Sequence, residues 1–152
     1  MIVKHFELKK NLKDNIHYYL LYGANSGLIE ENIDHIFKLN FSKNIFYYDE
    51  HEIISNIDGF KETIFNKSFF DNDKLIIINR ASDKILNMIE EIVDKEVKDL
   101  KIIVKSGVLE KKSKLRIFFE KNKNVIIVPF YEDNAQTLLY LAQNFFRDRK
   151  IK

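Results

Sequence analysis

The residues with the sharpest chemical signature are Gly23 and Gly27. They sit in Tyr18-Tyr-Leu-Leu-Tyr-Gly-Ala-Asn-Ser-Gly-Leu-Ile-Glu30, an apolar run that enters a glycine turn and leaves it with helical spacing. A nucleotide-binding fold places its phosphate loop in such a strand, turn and helix. A working loop reads G-x-x-x-x-G-K-[ST], because backbone amides cradle the phosphates, the lysine neutralises them and the hydroxyl holds magnesium. Here the two glycines are one residue too close, and Leu28 and Ile29 stand where the lysine and hydroxyl belong. The turn is kept and the phosphate chemistry is gone.

The other half of such a site is missing as well. The run Lys74-Leu-Ile-Ile-Ile-Asn-Arg80 occupies the place of the strand that ends in a magnesium-binding carboxylate in an active ATPase, yet it ends in Asn79-Arg80. ATP hydrolysis, and with it any nucleotide or metal cofactor, is therefore not expected. The four histidines, His5, His17, His35 and His51, lack the i, i+4 spacing or cysteine partners of a metal site and read as structural. Glu30-Glu31 and Glu90-Glu91 lie in helical segments, where solvated faces are commoner than acid-base pairs.

Two segments stand out for binding instead. In Asn66-Lys-Ser-Phe-Phe-Asp-Asn-Asp73, the adjacent Phe69 and Phe70 are flanked by Ser68, Asp71, Asn72 and Asp73. One phenylalanine could cap the core, but both beside a polar turn point to an exposed aromatic anchor for a protein partner. The second is Glu110-Lys-Lys-Ser-Lys-Leu-Arg116, where Lys111, Lys112, Lys114 and Arg116 are candidate contacts for phosphates or an acidic partner. The plainer reading of that segment is the solvated first turn of a helix.

These segments need a scaffold, and five apolar runs supply it: Tyr18 to Tyr22, Ile45 to Tyr48, Leu75 to Ile78, Ile102 to Val104, and Val125 to Val128. Nearly continuous Ile, Val and Tyr without polar alternation suits a parallel sheet covered on both faces. Helical spacing fills the intervals: Leu28 to Leu39, Ile53 to Phe60, Ile85 to Ile92, Leu115 to Phe119, and last Leu138 to Phe146. Ser82, Ser113 and Asp133-Asn134 are capping residues at helix starts, and Pro129 closes the fifth strand. Strands alternating with helices predict a doubly wound three-layer α/β domain with a central five-stranded parallel sheet, of the P-loop type with a degenerate nucleotide site. In such a sheet the loops at the carboxyl ends of the strands form the crevice, so Gly23 to Gly27, Asn79-Arg80 and Ser106-Gly107 are predicted to cluster.

Composition narrows the partners. In 152 residues, 25 basic side chains nearly cancel 23 acidic ones to leave +2, so no strong field directs the chain to nucleic acid or membrane. Cysteine is absent, which removes thiol catalysis and disulfides and favours a cytoplasmic reading. The amino-terminal residues lack an uncharged targeting core, and no apolar run nears the ~20 residues of a membrane span. No internal boundary is evident, and residues 1–152 read as one domain.

Four stretches in order carry a family resemblance: Tyr19-Leu-Leu-Tyr-Gly-Ala-Asn-Ser-Gly-Leu-Ile-Glu-Glu31, Ser68-Phe-Phe-Asp-Asn-Asp-Lys-Leu-Ile-Ile-Ile78, Leu109-Glu-Lys-Lys-Ser-Lys-Leu-Arg-Ile-Phe-Phe-Glu-Lys121 and Val128-Pro-Phe-Tyr-Glu-Asp-Asn134. The chain resembles the N-terminal domain of the delta subunit of the bacterial DNA polymerase III clamp loader. The resemblance implies an AAA+ type core that binds no nucleotide, in a subunit that binds the sliding clamp (the beta subunit) and helps open it for loading onto primed DNA. It implies that Ser68, Phe69 and Phe70 match the family's clamp wedge, with Phe69 in place of the usual leucine. It also implies partnership with the ATPase subunits and delta prime, through a lid and collar that follow the core. The chain stops at Lys152 and is expected to keep the clamp contact without assembling the pentamer. Through the holoenzyme the family is grouped with DNA-directed DNA polymerases, a nucleotidyltransferase class, while the subunit itself is expected to have no ATPase. Two other readings stay open. One is a divergent P-loop ATPase or kinase drawing a lysine from Lys74 or Lys111; the other is a DNA-binding module built on the basic segment.

Overall fold

The β-branched and aromatic runs of the sequence form strands β1 (Tyr18–Gly23), β2 (Ile45–Asp49), β3 (Lys74–Asn79), β4 (Leu100–Ser106) and β5 (Ile126–Phe130). The structure, a computed structural model, describes residues 1–12, 16–40, 44–65, 74–96 and 100–131. The five strands make one all-parallel sheet in the order β2-β3-β4-β1-β5. Tyr47, Ile77, Ile103, Tyr19 and Ile126 stand in one row across it, which fixes the register of every pair.

Because successive side chains leave opposite faces of a strand, each apolar run feeds two cores at once. Tyr19, Leu21, Ile77, Ile103 and Val128 pack under helix α1 (Ser26–Asn32) with Ile29, Ile33 and Phe37. Leu20, Tyr22, Ile76, Ile78, Ile102 and Val104 pack under α2 (Glu50–Ser55), α3 (Ile57–Phe65), α4 (Leu86–Asp94) and α5 (Lys114–Lys121). The predicted three-layer α/β domain with a five-stranded parallel sheet is the observed one.

The helices differ from expectation in detail, each for a local reason. The segment read as one helix from Leu28 to Leu39 is α1, then a π turn at Ile33–Phe37 and a 3-10 turn at Lys38–Asn40. Side chains spaced by four drift round an ideal α-helix of 3.6 residues per turn, and the wider π turn offsets that drift, so Ile29, Ile33 and Phe37 stay on the sheet. The segment Ile53 to Phe60 is broken at Asn56, whose backbone leaves the helical region and whose Oδ1 accepts from Gly59 N at 3.2 Å to start α3. Gly59 thus lies inside α3. Ser82 and Ser113 do cap, accepting from Lys84 N and Arg116 N. Pro129 does not end the fifth strand, which continues to Phe130. Ile127 N points outward and donates to Met1 O, so Pro129, two residues on, turns its missing N–H to the same outer edge. The predicted last helix, Leu138 to Phe146, lies outside the described residues.

Candidate functional site

The chain leaves β1 into α1 on one face of the sheet and leaves β4 toward α5 on the other, and these strands are neighbours. A crevice opens where such paths diverge, at the carboxyl ends of the strands. Gly23, Ser26, Asp49, Asn79, Arg80, Lys105, Ser106 and Gly107 line it together with Ile29, around a cavity of about 380 Å³. The predicted cluster of the glycine turn, Asn79-Arg80 and Ser106-Gly107 is therefore present.

Its hydrogen bonds run inward. Gly23 N donates to Gly107 O at 3.1 Å, Asn25 N to Phe130 O at 3.4 Å and Ser26 N to Ala24 O at 3.1 Å. Leu28 N donates to the Asn25 side chain at 3.1 Å and Ile29 N to Asn25 O at 3.2 Å. A phosphate loop works because such amides converge on the anion; here these five are already spent on the protein. Gly23 has φ +131°, and a β-carbon there would lie 2.0 Å from Phe130 O, so close packing of β1 on β5 is what requires that glycine. Ile29, in the place of the magnesium-binding hydroxyl, is buried in the core beneath α1, and Leu28 packs beside it.

Of the two cations in the crevice, Arg80 belongs to the predicted Asn79-Arg80 cluster, and Lys105 is the one that sequence reasoning passed over. Lys105, two residues beyond the buried Ile103, projects to the α1 face and forms an ion pair with Glu30. Its side chain is 21% exposed, and burial holds its pKa below the ordinary lysine value even with that carboxylate alongside. Arg80 is 86% exposed in its side chain, lies 3.9 Å from Asp49 and has φ +56°, a left-handed conformation unusual for a non-glycine residue. Of the two lysines considered as replacements, Lys74 begins β3 at the opposite end of the sheet, about 16 Å away along the strand. Lys111 is exposed in the β4–α5 connection and does not line the crevice.

Beside the crevice a polar chain ties three connections together. Glu50, 8% exposed, accepts from Ser82 N at 2.8 Å and from the Ser82 hydroxyl. Asp83 accepts from the Ser113 hydroxyl at 2.6 Å and from Lys114 N and Leu115 N, which lowers its pKa, the serine bond contributing most. The basic segment is sorted by this geometry. Arg116 is turned inward, bonding Glu120 at 3.2 Å and Leu109 O at 2.9 Å with its guanidinium over the Tyr22 ring. Lys111, Lys112 and Lys114 are exposed, with Lys112 and Lys114 bordering a groove beside Val108 and Leu109.

Ser68, Phe69 and Phe70 lie outside the described residues. Their flanks are described: α3 ends at Phe65 and β3 starts at Lys74, at the amino end of the sheet and away from the crevice. Phe65 carries Lys95 over its ring at 4.1 Å, and Glu91 pairs with both Lys61 and Lys95, joining α3 to α4 there. Among the described residues no group of three His, Asp or Glu side chains is placed to hold a metal ion, and no helix is long and apolar enough to cross a membrane.

A family model described as DNA polymerase III, delta subunit, matches residues 19–130, a span that begins in β1 and ends with β5. A search of curated proteins returns no match to this chain.

Proposed function

The chain belongs to the DNA polymerase III delta subunit family, clamp-loader components of DNA replication, and on that footing we propose that it binds the sliding clamp and helps open the ring for loading onto primed DNA. The observation that carries this reading is the family match running through a crevice where the amides of Gly23, Asn25, Ser26, Leu28 and Ile29 are bonded to the protein itself. A subunit of this kind contributes binding, and hydrolysis belongs to its ATPase partners.

In this reading Ser68, Phe69 and Phe70 form the clamp anchor, on the connection between α3 and β3. Supporting it are the sequence match to the family's wedge and the polar setting of two adjacent aromatics. Truncating a buried aromatic anchor typically costs at least ~2 kcal/mol, about a thirtyfold loss of affinity. Opening follows only if the subunit binds the sprung ring more tightly than the closed one. Lys111, Lys112 and Lys114 are the members of the basic segment open to primed DNA or to a neighbouring ATPase or delta prime subunit; Arg116 serves the fold.

Opening is testable with a clamp that carries a fluorophore and a quencher across one ring interface. Dequenching on addition of the chain is the expected result. A complex that forms with no dequenching at saturation would confine the role to binding.

A further inference from the structure

Lys105 poses a problem of charge. It lies on the α1 face of β4, in the crevice, with burial disfavouring its charged form. A partly desolvated cation in a crevice of this shape calls for an oxyanion. Five amides around the turn, those of Gly23, Asn25, Ser26, Leu28 and Ile29, are turned to Gly107 O, Phe130 O, Ala24 O, the Asn25 side chain and Asn25 O. The anion that meets Lys105 is the Glu30 carboxylate, carried on α1 one turn beyond Ser26.

We propose that Glu30 is a tethered anion: its carboxylate fills, from within the chain, an oxyanion site whose cation is Lys105, and so locks α1 to β4 with no phosphate ligand. The two halves of the pair come from the two strand exits that bound the crevice, since α1 follows β1 directly and β4 is the strand beside it. A ligand that bridged these exits would couple the crevice to its own concentration. A carboxylate built into α1 bridges them permanently. Of the remaining polar lining, Arg80 and Asp49 face each other at 3.9 Å, and Ser26, Asn79 and Ser106 are left as the rim of a site whose partly buried cation is already met.

The test is to remove the tether and offer an anion in solution. In Glu30→Gln, Lys105 loses its counter-charge while the side chain keeps its size. The melting temperature of the whole chain should fall by roughly 2–8 °C, and inorganic phosphate at tens of millimolar should recover part of the loss relative to chloride at equal ionic strength. Wild type should show no phosphate-specific gain, and Glu30→Gln/Lys105→Gln should show none either. A Glu30→Gln melting temperature equal to that of wild type would overturn the proposal, as would a phosphate gain no larger than the wild-type one. If Glu30→Gln does not fold, the reversed pair Glu30→Lys/Lys105→Glu decides. Folding of the reversed pair supports a charge lock between α1 and β4, and its failure to fold overturns it.

Discussion

Gly23 and Phe130 touch through their backbones: a β-carbon on Gly23 would sit 2.0 Å from the Phe130 carbonyl oxygen, where β1 and β5 run side by side. The glycine that most suggests phosphate binding in the sequence is thus demanded by strand packing. Gly23→Ala must push β5 away or distort a backbone at φ +131°, and a loss on the order of 3 kcal/mol or more is expected. Gly27 is different, with only the Asn25 side chain near its added β-carbon, at 3.9 Å, inside helix α1. Gly27→Ala should be neutral or stabilise by about 0.4–1 kcal/mol. Urea denaturation of the two variants checks the contrast; two equally damaging substitutions would contradict it.

Asp83 caps α5 from a distant connection, and its pH dependence has a definite sign. Its hydrogen bonds, that from Ser113 foremost, hold its folded pKa below the ordinary value of 3.8. The stabilisation is therefore fully present above that value and is lost as pH falls through the lower folded one. Asp83→Asn should melt below wild type at neutral pH, with the gap closing as acid protonates the wild-type carboxylate. Melting temperatures between pH 7 and pH 2.5 test this; a gap that stays constant over the range would refute the assignment.

Glu50 is a buried acceptor for two donors of the half-buried Ser82. Glu50→Ala leaves Ser82 N and the Ser82 hydroxyl without the carboxylate, at a cost of about 1.5–3 kcal/mol. Thermal unfolding should register this as a drop of roughly 3–12 °C. Ser82→Ala removes the hydroxyl donor and the long cap bond from Lys84 N at 3.4 Å but keeps the amide bond to Glu50, so it should cost less. Equal losses for both would contradict that order.

What was legible in the sequence was what is local. Each strand announces itself by its own residues, and Ser82 and Ser113 lie beside the amides they cap. The cluster of strand ends at the crevice followed from the sheet type alone. Pairings across distance were hidden: Asp83 reaches α5 over thirty residues, and Lys105 finds Glu30 only once β4 lies beside β1. Arg116 read as part of a free basic segment because the Tyr22 ring beneath it is distant in the chain, although its i, i+4 partner Glu120 was legible. Asn56 could have been found, as an N-capping residue three before Gly59 within an apparently continuous helix.

The crevice should ignore nucleotide. Magnesium-ATP at 100 times a dissociation constant would add ~2.7 kcal/mol of stability, a shift of roughly 5–11 °C. With five amides around the turn bonded internally and Lys105 paired to Glu30, the melting temperature is expected to stay unchanged at millimolar nucleotide. A saturable rise would revive the ATPase reading.

The most direct test of the account is titration calorimetry of the chain against the sliding clamp, comparing wild type with Phe69→Ala/Phe70→Ala while circular dichroism monitors folding. The account predicts saturable binding by wild type and an affinity at least about thirtyfold weaker in a folded double variant. Equal affinity in the two folded proteins would contradict it.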